Sequence, residues 1–191
     1  STDRTRDIVE RMALEIPRVR MLNLENRGKG WAVKQAMLNA RGDIRLFSDA
    51  DNSTAPHYFD AMEPLFQSGY DIVISSRDPK DAAGATRDTQ EQWYREIMGN
   101  IGNHVIQIFG IWGIWDTQNG FKACTAKAVN EIFIRTYMTG FSFDIEMLAL
   151  AKKFRLRLGI IPVRWKFDPD SKVTFASYIR VFLDVFKIRW N

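Results

Sequence analysis

Cysteine is almost missing from this sequence. The single Cys124 excludes an internal disulfide framework, and with only two histidines, His57 and His104, no Cys/His zinc cluster can be assembled. Long apolar runs are missing too. The longest, over 101–115, is broken by Asn103, His104, Gln107 and several glycines, and is shorter than the ~18–20 residues of a membrane span. The polar start Ser1-Thr2-Asp3-Arg4-Thr5 does not read as a signal peptide. Charge of one sign is in small excess: 27 Lys and Arg against 23 Asp and Glu leave +4, less than a dedicated nucleic-acid binder carries and suited to an anionic substrate or a lipid surface. Neither internal repeats nor low-complexity tracts subdivide the chain. These absences predict a cytosol-facing domain with no nucleic-acid partner.

What is present is enough for one substantial core: 46% of 191 residues are hydrophobic. A helix is predicted over 1–15, with Ile8, Val9, Met12 and Ala13 at helical spacing, and a short strand over 19–24. Gly28-Lys29-Gly30 then turns into a helix over 31–40. Strands over 43–48 and 71–76 bracket a helix opened by Pro56, and the polar segment 78–90 reads as a functional loop. A long helix over 92–112 follows, then a loop and strand over 116–124, helices over 126–137 and 143–154, and a strand over 156–165. Strands alternating with helices predict an α/β layered domain on a largely parallel sheet.

Chemistry gathers first at Ser48-Asp49-Ala50-Asp51. An apolar strand ends there in two carboxylates one residue apart, at the edge where open α/β sheets bind ligands. Both can approach one hard cation, Mg²⁺ or Mn²⁺, completed by substrate phosphates; the same pattern also suits a solvated loop or a helix cap. Asn26-Arg27-Gly28-Lys29-Gly30 sets cations and backbone amides before a helix, an arrangement for an anion such as a donor diphosphate or a plain turn with solvated charges. Arg77, at a strand end, fits a phosphate or a surface ion pair.

Six strings stand in one order: Ser1-Thr2-Asp3-Arg4-Thr5, Asn26-Arg27-Gly28-Lys29-Gly30, Ser48-Asp49-Ala50-Asp51, Ser75-Ser76-Arg77, Asp116-Thr117-Gln118-Asn119-Gly120-Phe121-Lys122 and Phe143-Asp144-Ile145-Glu146. In this the chain resembles glycosyltransferase family 2, and within it the branch that glycosylates dolichyl and polyprenyl phosphates. The resemblance implies a GT-A fold, Rossmann-like, with a mixed and mainly parallel sheet flanked by helices. It implies inverting, metal-dependent transfer of a hexose, UDP-glucose favoured, to a polyprenyl phosphate at the cytoplasmic face of a membrane.

By the same resemblance, Asp3, Lys29, Asp49, Asp51 and Arg77 face the donor, with Asp49 and Asp51 on the metal. Asp144 and Asp116 are the catalytic candidates, and Gln118, Lys122, Glu146, Arg164 and Lys172 line the acceptor and sugar. Family members begin with a strand and helix that bind uracil, then a strand ending in Asp-Asp-Gly just before Ser-Thr-Asp. None of this precedes Ser1, so the resemblance implies that a catalytic domain over 1–174 lacks its first strands, on the order of 30–50 residues, with exposed sheet edges and impaired donor binding.

Residues 175–191 are predicted to form a basic amphipathic helix, with Tyr178, Ile179, Phe182, Val185 and Phe186 as its apolar stripe, suited to peripheral membrane contact. Ile161-Pro162-Val163-Arg164-Trp165 lacks the glutamine of the Gln-x-x-Arg-Trp string in processive synthases. Two other readings stay open: transfer to a saccharide or lipid hydroxyl, and a catalytically silent sugar-nucleotide-binding or membrane-associated domain.

Overall fold

A computed structural model of the chain describes residues 3–87, 102–165 and 175–190. Four strands form the central sheet: β1 (Ile44–Ser48), β2 (Ile72–Ser76), β4 (Phe121–Thr125) and β5 (Leu158–Pro162), in the order β1-β4-β2-β5. β2 and β5 pair in parallel, whereas β4 runs antiparallel to both β1 and β2. Three strands therefore point one way and β4 opposes them, so the sheet is mixed, with two antiparallel ladders and one parallel ladder.

The period-2 alternation of the strands divides the core in two. Ile72 and Ile74 of β2, Phe47 of β1 and Cys124 of β4 join one apolar cluster. It is covered by α2 (Lys29–Asn39), α4 (Ala126–Phe133), α5 (Phe143–Lys153) and α6 (Phe175–Trp190). Val73, Phe121, Ala123 and Ile161 face the other side and pack with Met62 of α3 (Phe59–Gln67). Helices on both faces bury β2 completely, which is why Ile72, Val73 and Ile74 are apolar in succession without alternation.

Several sequence expectations are redrawn. The predicted first helix is α1 (Thr5–Glu15), with the Asp3 carboxylate accepting from the Thr5 amide at 3.0 Å, and it buries none of its residues. Residues 19–24 form no strand, because no neighbouring strand among the described residues offers them a ladder. The strand predicted over 156–165 divides after β5. Val163 donates to the Ser76 carbonyl, and Arg164–Trp165 (β6) turns away to pair with Thr86–Arg87 (β3), inside the predicted loop 78–90. The helix predicted over 126–137 stops at Phe133.

Of the helix predicted over 92–112, residues 92–101 lie outside the described residues. The rest is helical from 102 and widens into a π turn at Ile106–Gly110. Buried Gln107 secures the chain beyond it, donating to the Ile114 carbonyl and accepting from Gly113. The C-terminal helix spans Phe175–Trp190, and its inner face is set by Val181, Val185 and Ile188 against the core, whereas Phe182 of the expected stripe is exposed with Leu183 and Trp190. Among the described residues no helix is long and apolar enough to cross a membrane.

Candidate active site

β1, β2 and β5 all end at one edge of the sheet, and because β4 is reversed, the loop that precedes it arrives at that edge too. Segments 49–54, 77–85, 116–120 and 163–165 therefore meet there.

Just past β1, the Asp49 amide donates to the Gly120 carbonyl at 2.9 Å. A Cβ on Gly120 would overlap the Asp49 carboxylate, so only glycine permits this approach. Asp49 faces Lys29, whose ammonium lies 2.6 Å from Oδ1 and 2.9 Å from Oδ2. Asp51 is exposed and closes a turn by accepting from the Ser53 amide at 2.9 Å.

Lys29 is the first residue of α2, and the local fold explains its aim. Gly28 has φ +107, and at both Gly28 and Gly30 a Cβ would press on the backbone of residues 138–140. The Trp31 amide bonds the Thr139 carbonyl. The loop 137–140 is pinned in turn by Glu146, whose carboxylate accepts from the Tyr137 amide at 3.0 Å and the Met138 amide at 2.9 Å. Burial pushes the Glu146 carboxyl up, and those amide bonds oppose the rise.

Behind Asp49, Lys122 is wholly buried, points to the α5 side of β4 and pairs with Asp144 at 2.5 Å. Its ammonium also donates to the Asn119 carbonyl at 2.5 Å and lies 5.6 Å from the centre of the Phe47 ring. Burial raises the Asp144 carboxyl above the ordinary range, while the Lys122 and Lys29 charges pull it down. At the end of β2, Arg77 grips Asp116 in a fork, Nε to Oδ2 at 2.8 Å and Nη2 to Oδ1 at 2.7 Å, with its amide adding a third bond at 2.7 Å. The Arg77 guanidinium also stands 5.1 Å over the Trp165 ring.

The structure thus brings together Lys29, Asp49, Lys122 and Asp144 in one group, and Arg77 and Asp116 in another at the same edge. Gln118 is exposed, 3.4 Å from the Phe141 carbonyl. Arg164 is exposed on β6, its amide bonded to the Tyr58 hydroxyl. Asp3 stays at the start of α1, Glu146 is spent on backbone amides, and Lys172 lies outside the described residues.

Sequence reasoning missed Asp81, which receives the Trp115 amide at 2.7 Å, the Asp116 amide at 2.8 Å and the Ser76 hydroxyl at 2.7 Å, so that it ties the 78–85 loop to the site. It also missed Asn119 and Ser53. Both are buried beside the acidic loop, and among the described residues Asn119 Nδ2 and Ser53 Oγ have no hydrogen-bond partner.

Residues 1–133 match the family described as Glycosyl transferase family 2. The chain belongs to that family, and its fold is GT-A. A dolichyl-phosphate beta-glucosyltransferase of Drosophila melanogaster is 35% identical over 90% of this chain and 54% of its own length. One from Trichomonas vaginalis is 33% identical over 98% of the chain and 57% of its own length, and the Saccharomyces cerevisiae enzyme is 35% identical over 86% and 52%. The chain spans about half the length of these curated relatives. Among solved structures, a glucosyl-3-phosphoglycerate synthase from Mycobacterium tuberculosis, in complex with Mn²⁺, UDP-glucose and phosphoglyceric acid, superposes with a TM-score of 0.67. It covers 100% of this chain and 66% of the synthase at 14% identity, a likeness of fold.

Proposed function

We propose that this chain carries the catalytic centre of a glucosyltransferase that moves glucose from UDP-glucose to dolichyl or another polyprenyl phosphate, with inversion and with Mg²⁺ or Mn²⁺. The dolichyl-phosphate glucosyltransferases among its relatives support the acceptor and the sugar. The Mn²⁺ and UDP-glucose of the similarly folded synthase support the donor and the cation.

The observation that carries the reading is the state of the two candidate bases. Asp144 is buried in an ion pair with Lys122, and Asp116 is buried in the fork of Arg77. At 2% and 3% exposure, neither is open to an acceptor hydroxyl that would hand it a proton. A hydroxyl acceptor needs a general base. A phosphate monoester, with a second pKa of about 6, is already a dianion at neutral pH and needs only to be positioned. The paired carboxylates favour the phosphate acceptor over a saccharide or lipid hydroxyl.

The donor set suits a hard cation. Asp49 offers carboxylate oxygens against which an ammonium already sits, in a cradle that a Cβ at Gly120 would fill. Asp49 and Asp51 would hold the ion; when bound, it neutralises charge developing on the departing diphosphate. Among the described residues no group of three or more His, Cys, Asp or Glu side chains is arranged to hold a metal, so substrate oxygens would complete the shell. Lys29 and the positive end of the α2 dipole offer the diphosphate a positive site. The Arg77–Asp116 pair fixes the loop that leads into β4 at this edge, and exposed Arg164 supplies positive charge at the same edge for the acceptor phosphate. Exposed Phe182, Leu183 and Trp190, with Arg180, Lys187 and Arg189 on the same helix, suit contact with the lipid surface that holds the acceptor.

The test is transfer of label from UDP-glucose, UDP-GlcNAc and GDP-mannose to dolichyl phosphate, with and without Mn²⁺, and with the product's anomeric configuration read by NMR. Glucose transfer that requires the cation and yields the inverted product is the expected result. Transfer to a saccharide but never to the lipid phosphate overturns the acceptor, and full activity in Asp49→Ala/Asp51→Ala overturns the cation's role.

A further inference from the structure

Lys29 engages both oxygens of Asp49, at 2.6 Å and 2.9 Å. Those are the lone pairs a divalent cation would use, and an ammonium held beside them repels such a cation. The pair is not sealed: the two side chains are 27% and 37% exposed, so ions from solvent reach it. For the cation to enter, the ammonium must find another anion. Asp144 lies close enough for its charge to interact with both Lys29 and Asp49, but it is spent on Lys122. Glu25, four residues before Lys29, is spent on Arg27. What remains is an anion arriving at the start of α2, where Lys29 is the first helical residue and the positive end of the helix dipole adds to its charge.

We infer that Lys29 is the resident counter-ion of Asp49 and gives way to the divalent cation only when a diphosphate supplies its ammonium with a new partner. The cation alone then binds poorly, and cation and diphosphate bind as a unit. The lysine excludes a bare metal ion from the empty site and is afterwards reused as a phosphate ligand. This rests on the reading of Asp49 as a cation ligand in a diphosphate site, and it adds an order of events that the reading does not contain.

The experiment is a Mn²⁺ titration of the protein without nucleotide, followed by the electron paramagnetic resonance signal of free Mn²⁺. Lys29→Met is expected to bind Mn²⁺ at least about tenfold more tightly than the parent. Lys29→Arg, which keeps the charge and pairs a carboxylate through two donors, stays as weak as the parent. Adding Asp49→Asn to Lys29→Met abolishes the gain, and Lys127→Met, which removes an equal charge from an exposed position on α4, shifts affinity less than about twofold. Equal affinity in the parent and Lys29→Met, including no binding in either, overturns the inference. So does a gain in Lys29→Arg as large as in Lys29→Met. Sugar and acceptor take no part in this titration, so a failure of the proposed transfer reaction would be seen separately.

Discussion

Asp49 and Gly120 touch twice: the Asp49 amide donates to the Gly120 carbonyl, and the Asp49 carboxylate occupies the space a side chain at 120 would need. The strand-end carboxylate is therefore aimed by a residue seventy-one positions away. In Gly120→Ala the added methyl displaces the carboxylate while the surrounding β-pairing persists. Misplacing a reacting group by about 1 Å costs on the order of 100-fold. The proposed glucosyl transfer is expected to fall by that factor with the far-ultraviolet circular dichroism unchanged, which parallel kinetics and spectra will check.

Lys122 and Asp144 are buried together, so removing one leaves the other uncompensated. Lys122→Met and Asp144→Leu are each expected to lower unfolding free energy by roughly 3–5 kcal/mol, and the double variant by less than either. Urea denaturation of the four proteins measures this as a double-mutant cycle.

Glu146 acts at a distance. Its carboxylate accepts backbone amides of Tyr137 and Met138, and that loop buttresses Gly28 and Gly30 on either side of Lys29. In Glu146→Gln an amide NH₂ replaces one accepting oxygen and meets a backbone donor. A stability loss of about 1–3 kcal/mol is expected, together with a rise in KM for the donor that exceeds the fall in kcat. Thermal denaturation and donor-saturation kinetics test the two parts.

Burial raises the Cys124 thiol from 9.0 to about 12, so it stays neutral in the folded protein while the unfolded chain ionises near its ordinary value. The folded state then holds one more proton between those limits. Its stabilising share is complete below pH 9 and is lost as pH rises toward 12, at about 1.4 kcal/mol per unit. Cys124→Ala should lose less stability than the parent over that interval, measured by urea midpoints at each pH. At pH 8 the native thiol should resist alkylating reagents that modify the unfolded chain.

The parts of this site legible in the sequence are those that depend on neighbours along the chain. Asp49 follows an apolar strand, Lys29 sits between glycines before a helix, and Ile72–Ser76 reads as buried because both faces are covered. The remainder depends on partners far away in sequence. Residues 19–24 alternate well enough, but a strand requires a second strand, and none of the described residues supplies one. β3 and β6 are two residues each, too short for any period to show. Glu146 and Asp81 bind backbone amides, which have no side-chain signature. Lys122 did leave a signal: alternation through Phe121–Thr125 puts it on the face of buried Cys124, which argues for an interior ammonium and hence for a buried carboxylate to meet it.

The reversal of β4 has a practical side. Every segment at the candidate site enters or leaves at one rim of the sheet, and the other rim carries the connections Arg41–Asp43, Ser68–Asp71, Thr125–Ala126 and Arg155–Arg157, tied to one another through Asp43, Asp71 and Arg157. That rim is a handle. A fluorophore or surface tether attached at exposed Arg41 or Ser68, after substitution by a thiol-bearing residue, would hold the molecule with its chemistry facing outward, and single-molecule measurements could watch cation and donor arrive without the probe standing in their way.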